Sequence, residues 1–302
     1  MHSQPISSKN PGLVLFLIDQ SGSMREDWGG GRNESISQLA ADALNKTLYD
    51  LALNACVKDG RPVDRVHVGA YQYSSTGSPS VDSANWALQG INEGPGWANA
   101  SDWVTGYHSV QTTLVAEDGD QVIERETPVW IFPEGYGGTP MVTALTKASA
   151  IVRKHVAQYP DSYPPIVINI TDGWPTDGDW GDVARLADEI TGHATNDGGS
   201  IVLNIQLTRH QTTPLVFPTM SSVNGNGYPE EVGGLANSSS LLPANMLVEA
   251  KRNGIAVREG AIGLVVDADW RMLTKFLKIG TTLVQPKALQ APATELGSDG
   301  DA

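Results

Sequence analysis

Three short segments of this sequence carry hydroxyl and carboxylate side chains beside glycines that let the backbone bend. They are Asp19-Gln20-Ser21-Gly22-Ser23-Met24, Gly137-Gly138-Thr139-Pro140 and Thr171-Asp172-Gly173. Ser21 and Ser23 stand two positions apart in what reads as an extended turn, a spacing that aims both hydroxyls one way. Gly22 between them adds no side chain to clash. With Asp19, Thr139 and Asp172 the set offers only oxygen, and no His or Cys accompanies it. Such donors suit a hard cation and disfavour zinc or copper. Mg²⁺ takes a few protein oxygens and keeps several waters, so it fits best, with Mn²⁺ or Ca²⁺ as substitutes. Taken alone, the first segment also reads as an ordinary polar turn, and Thr139 also reads as a cap before Pro140.

Secondary structure has to bring these segments together. Leu13 to Asp19 is a nearly continuous apolar run ending in a carboxylate, which predicts a strand buried on both faces, as in a parallel sheet. Apolar residues at Ile36, Leu39, Ala40, Ala43, Leu44, Leu48 and Leu51 have helical spacing, and Ser35 with Gln38 resembles a capping box. Strands are expected at Val66 to Tyr73, at an edge near Val81 to Leu88, and at Ile166 to Ile170, Ile201 to Leu207 and Ala261 to Val266. Helices are expected from Met141 to Val156, from Val183 to Ile190, near Ala244 to Arg252, and through Trp270 to Leu277.

The fold class this predicts is α/β: a doubly wound, mostly parallel sheet with helices on both faces. In such a sheet, ligands collect at the carboxyl ends of strands where the winding order reverses. The three segments converge there if the Leu13 and Ile166 strands are neighbours.

Domain organisation reads as a polar N-terminal stretch over 1–11, one domain over 12–284, and a Pro, Gly, Ser and acid-rich tail over 285–302 that has little to bury. Two irregular stretches, about 90–133 and 212–240, read as insertions. The first contains a hairpin expected to turn at Asp118-Gly119 between Thr112 to Ala116 and Gln121 to Arg125.

Composition narrows the partners. The chain has 302 residues and a formal net charge of −14, with no run of Lys or Arg, so nucleic acid and anionic lipid surfaces are disfavoured. Its single cysteine, Cys56, excludes an internal disulfide framework and suits a reducing, cytoplasmic compartment. The longest apolar runs are strand-sized, and no membrane span is expected. The histidines His67, His108, His155, His193 and His210 are scattered without metal-ligand spacing and read as structural. Asp177 and Asp179 read as a solvated loop beside the site.

Asp19-x-Ser21-x-Ser23, followed by a distant Thr139 and a distant Asp172 before glycine, resembles the von Willebrand factor A domain family and its metal-ion-dependent adhesion site. The resemblance extends from about Gly12 to Val284. It implies that Ser21, Ser23 and Thr139 coordinate metal through their hydroxyls, and that Asp19 and Asp172 bind it directly or through water. It also implies a sixth position filled by water or by an acidic side chain of a partner. The flanks LVLFLIDQSGSM, GGTPM, IVINITDGWPTDGD and GAIGLVVDADWRML look most like bacterial intracellular members, some similar to proteins encoded beside kinases, phosphatases or ATPases of stress and conflict systems.

The expected function is therefore a metal-dependent protein-interaction module, not an enzyme, that binds Asp or Glu of another protein. Gln20, Met24, Trp28, Gly138 and Trp174 are candidates for the rim that contacts this partner. A Mg²⁺-dependent phosphoesterase is the rival reading, weakened by the lack of a phosphate loop or a nearby general-base His, with Arg25 as the only basic residue close to the motif. A purely structural metal site is the third.

Overall fold

A computed structural model of the protein describes residues 2–28, 34–77, 83–117, 121–207, 214–267 and 270–282. Apolar residues at every position from Leu13 to Ile18 leave no face for solvent, and the strand they form, β1 (Gly12–Asp19), is buried along its whole length. After α1 (Ile36–Leu51) come β2 (Val66–Tyr73) and the short β3 (Ala84–Trp86). The stretch 90–133 holds α2 (Ala100–Trp103) and a hairpin of β4 (Ser109–Glu117) and β5 (Gln121–Val129). Alternation then resumes with α3 (Met141–Gln158), β6 (Ile166–Thr171), α4 (Trp180–Gly192) and β7 (Ile201–Gln206). The last elements are β8 (Leu215–Val216), α5 (Met220–Gly225), α6 (Glu230–Asn237), α7 (Ala244–Arg252), β9 (Leu264–Val266) and α8 (Trp270–Thr282).

Seven strands form one sheet in the order β8-β9-β7-β6-β1-β2-β3. The five inner strands run parallel, while the edge strands β3 and β8 pair antiparallel to their neighbours. From β1 the chain first winds one way to β2, then returns to place β6 on the other side of β1. The winding thus reverses between β1 and β6, as the doubly wound expectation requires.

Alternate side chains of β1 face opposite layers. Val14, Phe16 and Ile18 pack with α1, α8 and Trp103 and Trp130 of the 90–133 stretch, whereas Leu13, Leu15 and Leu17 pack with α3 and α4. Burying each such side chain contributes roughly 1.5–3 kcal/mol, so the strand that carries Asp19 at its end is held from both sides.

Several elements depart from their sequence readings. Ser35 Oγ accepts the Gln38 N–H at 3.2 Å, but Gln38 Nε2 donates to Asp42 at 2.8 Å, so only half of the capping box forms. Cys56 ends a π-helical turn (Ala52–Cys56) that continues α1. The hairpin strands are longer than predicted, and their Asp118-Gly119 turn lies outside the described residues. So do the glycines 29–31, His210 and the tail.

The 90–133 stretch is anchored by Asn45 of α1, whose Oδ1 accepts the N–H groups of Trp130 (2.9 Å) and Ile131 (3.0 Å) and whose Nδ2 donates to the Ile131 carbonyl (2.9 Å). The 212–240 stretch has a small apolar core of its own: Val223, Val232, Leu235 and Ala236 pack with Ile262, Leu264 and Val266. Among the described residues no helix is long and apolar enough to cross a membrane.

Candidate metal centre

Asp19 is the last residue of β1, and Asp172 directly follows β6, so the two carboxylates lie at the point where the winding reverses. The chain leaves β1 into a 3-10 turn (Gly22–Arg25) that places Ser21 and Ser23 side by side, with Oγ atoms 3.1 Å apart. Ser23 Oγ donates to Asp172 Oδ1 at 3.0 Å. The Thr139 loop is fixed against the same turn by Gly22 N–H donating to the Gly137 carbonyl at 2.9 Å.

Glycine is required in that loop. Gly137 has φ +66°, and a Cβ there would lie 1.9 Å from the Ser75 carbonyl oxygen. A Cβ on Gly138 would meet Thr176 Oγ1 at 2.8 Å. Thr176 in turn secures Thr139 at both backbone groups, its Oγ1 accepting the Thr139 N–H and its own N–H donating to the Thr139 carbonyl, each at 2.9 Å. All three segments therefore meet at one end of the sheet.

Asp19 is fully buried. Its Oδ1 accepts the Ser21 N–H at 2.8 Å and its Oδ2 accepts the Thr171 hydroxyl at 2.7 Å. Burial and the neighbouring Asp172 charge push its carboxyl up to about 7, against those hydrogen bonds. Burial also raises Asp172, which the Ser23 hydrogen bond lowers and the Glu26 charge raises. No basic side chain pairs with either carboxylate among the described residues. Two carboxylates drawn together without a counter-charge are what a bound cation would reconcile.

Two donor separations bear on the same question. Oxygens at adjacent corners of a Mg²⁺ octahedron lie about 3 Å apart, given metal–oxygen distances of about 2.0–2.1 Å. The Ser21–Ser23 and Ser23–Asp172 separations of 3.1 and 3.0 Å are compatible with that edge, as hydrogen-bonded oxygens generally are. Among the described residues no three His, Cys, Asp or Glu side chains cluster so as to hold a metal ion. That is the expected outcome for a set whose remaining donors are hydroxyls. The mouth of the cluster is open: Ser23 is exposed and Asp172 half-buried, while Asp19, Ser21 and Thr139 lie beneath.

The rim differs from its sequence reading. Trp174 is 47 % exposed beside Asp172, with its ring 5.7 Å from Trp180, and Gly138 is half-buried. Gln20, Met24 and Trp28 are buried instead, at 1 %, 0 % and 6 % exposure, so their side chains offer no surface to a partner. Met24 and Trp28 join the apolar core under α1. Gln20 holds the neighbouring loop, its Oε1 accepting the Glu134 N–H and its carbonyl the Tyr136 N–H, both at 2.7 Å. Asp177 is not a solvated residue: its carboxylate caps α3, accepting from Val142 N–H (3.0 Å), Thr143 N–H (2.8 Å) and Thr143 Oγ1 (2.8 Å). Asp179 is the N-cap of α4 in a capping box with Asp182.

Beneath the site runs a polar ladder that the sequence reading overlooked. The Tyr73 hydroxyl donates to Asn169 Oδ1 at 2.9 Å, and Asn169 Nδ2 donates to Asn204 Oδ1 at 3.1 Å, crossing from β2 to β6 to β7. Its signal was present as single asparagines inside the apolar strands IVINIT and IVLNIQ. A buried amide needs a partner, and these supply one another.

No protein-family profile and no curated protein matches the chain. Among solved structures, a von Willebrand factor type A protein from Catenulispora acidiphila is 14 % identical with a TM-score of 0.44, covering 91 % of this chain and 43 % of its own. The ArnB paralog VWA2 from Sulfolobus acidocaldarius is 14 % identical with a TM-score of 0.33, covering 67 % of this chain and 36 % of its own. Human COPII-coat protein Sec24c is 11 % identical with a TM-score of 0.42, covering 92 % and 32 %. The chain spans less than half the length of each of these three proteins. At such identity and overlap the likenesses carry no weight for the site, which stands on its own geometry.

Proposed function

We propose that this chain is a metal-dependent protein-interaction module in which Mg²⁺, held by Asp19, Ser21, Ser23, Thr139 and Asp172, receives a carboxylate from Asp or Glu of a partner protein. The observation that supports it most is the pair of carboxylates, Asp19 and Asp172, which have no ion pair among the described residues and lie beside the Ser21 and Ser23 hydroxyls under an open mouth. A cation whose protein ligands include neutral hydroxyls keeps electrophilic character, so an outside carboxylate gains strong, directional attraction. The protein residues hold and orient the ion, and the exposed Trp174 offers the partner an aromatic contact at the rim. The proposed setting is a bacterial stress-response or conflict system whose kinase, phosphatase or ATPase presents the acidic residue; it rests on the wording of the flanking segments.

The test is quantitative affinity capture by the full chain in Mg²⁺ and in EDTA, with Asp19→Ala and Ser21→Ala alongside. The expected result is capture that needs Mg²⁺ and both side chains. Equal capture in excess EDTA would overturn the reading, and metal-dependent turnover of a phosphoester lost on changing Asp19 would favour the enzyme instead.

A further inference from the structure

Beside the metal centre lies a second cavity, of about 460 Å³, whose lining includes Arg25, Ser35, Ser37, Glu134 and Tyr136. Arg25 follows Ser23 by two positions within one 3-10 turn, so the cavity and the metal centre share a single piece of backbone. Met24 between them is fully buried and pins that turn to the core. The Arg25 stem is seated by Gly135, where an added Cβ would come within 2.6 Å of Arg25 Cγ and 3.2 Å of the Ser21 carbonyl oxygen. Arg25 is exposed and has no ion pair among the described residues. Around it stand the Ser35 and Ser37 hydroxyls, bonded to each other at 2.9 Å, and the exposed Tyr136.

We infer that this cavity receives a second acidic side chain of the same partner, so that the bound segment carries two carboxylates, one for the metal and one for Arg25. The inference rests on the metal-dependent reading for its first carboxylate and on the cavity alone for its second. The Arg25 guanidinium offers a planar fork of donors that matches a carboxylate, and hydroxyls beside it can donate to the remaining lone pairs. On a chain of net charge −14, a cation next to the site with no ion pair among the described residues favours an acidic ligand there. Glu134 also lines the cavity and opposes an anion there; it is exposed, where solvent screens it.

The probe is the peptide acetyl-Glu-Gly-Gly-Glu-amide, with its two forms in which one Glu is replaced by Gln, titrated into the isotopically labelled full chain by NMR in Mg²⁺ and in EDTA. In Mg²⁺ the diacid should bind about threefold tighter than either mono-acid, the scale of one exposed ion pair. Arg25→Ala should remove that gain and Glu134→Gln should enlarge it. In EDTA, weaker shifts of the Ser35, Ser37 and Tyr136 signals should remain. A diacid no tighter than the mono-acids in Mg²⁺, with those signals unmoved in EDTA, would overturn the second subsite while leaving Mg²⁺-dependent mono-acid binding intact. Signals that move in EDTA with no further effect of Mg²⁺ would sink the metal-dependent reading and retain the cavity. A gain from Arg25→Ala and a loss from Glu134→Gln would make the occupant a cation and overturn the inference.

Discussion

Two pairs of buried or half-buried titratable groups lie near opposite ends of the sheet, and burial acts on them in opposite senses. At the carboxyl ends of β1 and β6, Asp19 and Asp172 are pushed up. Toward the amino end of β2, His67 Nδ1 and His155 Nε2 lie 3.2 Å apart, and burial lowers them to about 4 and about 3. Both responses follow from desolvation disfavouring charge. The surroundings differ. The imidazoles sit among the Trp97 and Tyr159 rings, which are compatible with the neutral form. The carboxylates sit among hydroxyls and backbone N–H groups at an open mouth, donors that serve the charged form. The surroundings of the histidine pair suit the neutral form, whereas those of the carboxylate pair would suit the charged form if the proposed cation binds there.

Breaking the carboxylate pair should have the largest effect. Ionising a carboxyl lifted from its ordinary range to about 7 opposes folding by on the order of 4 kcal/mol. Asp19→Asn should therefore leave the metal-free protein at least as stable at pH 8 and abolish the thermal shift that Mg²⁺ gives the wild type. Calorimetric melting with and without Mg²⁺ checks both halves.

The sign of the pH dependence separates the two pairs. Because Asp19 is raised above its unfolded value, its stabilising contribution to the metal-free protein is present below about pH 4 and is lost as pH rises through about 7. Metal needs the ionised form, so the Mg²⁺-induced shift should grow as pH rises through about 7, from near zero at pH 5 to its full size by pH 8. The histidines behave oppositely: lowered from 6.5, they contribute stability above pH 6.5 that is lost as pH falls through about 4 and then about 3. His67→Phe should flatten that acid limb, as read by denaturant melts from pH 7 to pH 3.

Smaller changes sharpen the contrast. Asn45→Ala strands the Trp130 and Ile131 backbone groups and should destabilise by about 2–3 kcal/mol without altering the Mg²⁺ shift, which urea unfolding in each condition would show. Trp174→Ala should leave both stability and Mg²⁺ uptake unchanged and weaken only partner capture, by about tenfold if the ring acts as a contact anchor.

The parallel sheet was legible because Leu13–Ile18 is apolar at every position and Ile166–Ile170 at every position but Asn169, a pattern that fits burial between two helical layers. The candidate site could be picked out because Asp19 ends one such strand and Asp172 directly follows the other. What escaped depended on long-range partners. Nothing local distinguishes Met24 and Trp28 as core residues, since their burial is decided by α1 packing over the turn. Asp177 reads as a loop residue until α3, more than thirty positions earlier in the chain, presents its free N–H groups to it. His67 and His155 are 88 residues apart and meet only because α3 crosses β2. The helices of 212–240 were hidden by Gly, Pro and Ser, which read as loop although α6 packs against α4 beside the sheet.

Crystals grown in saturating Mn²⁺ at pH 8 and measured for anomalous scattering test the central claim most directly. The account predicts one strong peak among the three loops, bonded to the Ser21 and Ser23 hydroxyls, with a water or a neighbouring carboxylate on its solvent side. A map without a peak there, the carboxylates of Asp19 and Asp172 still paired only with protein donors, would contradict it.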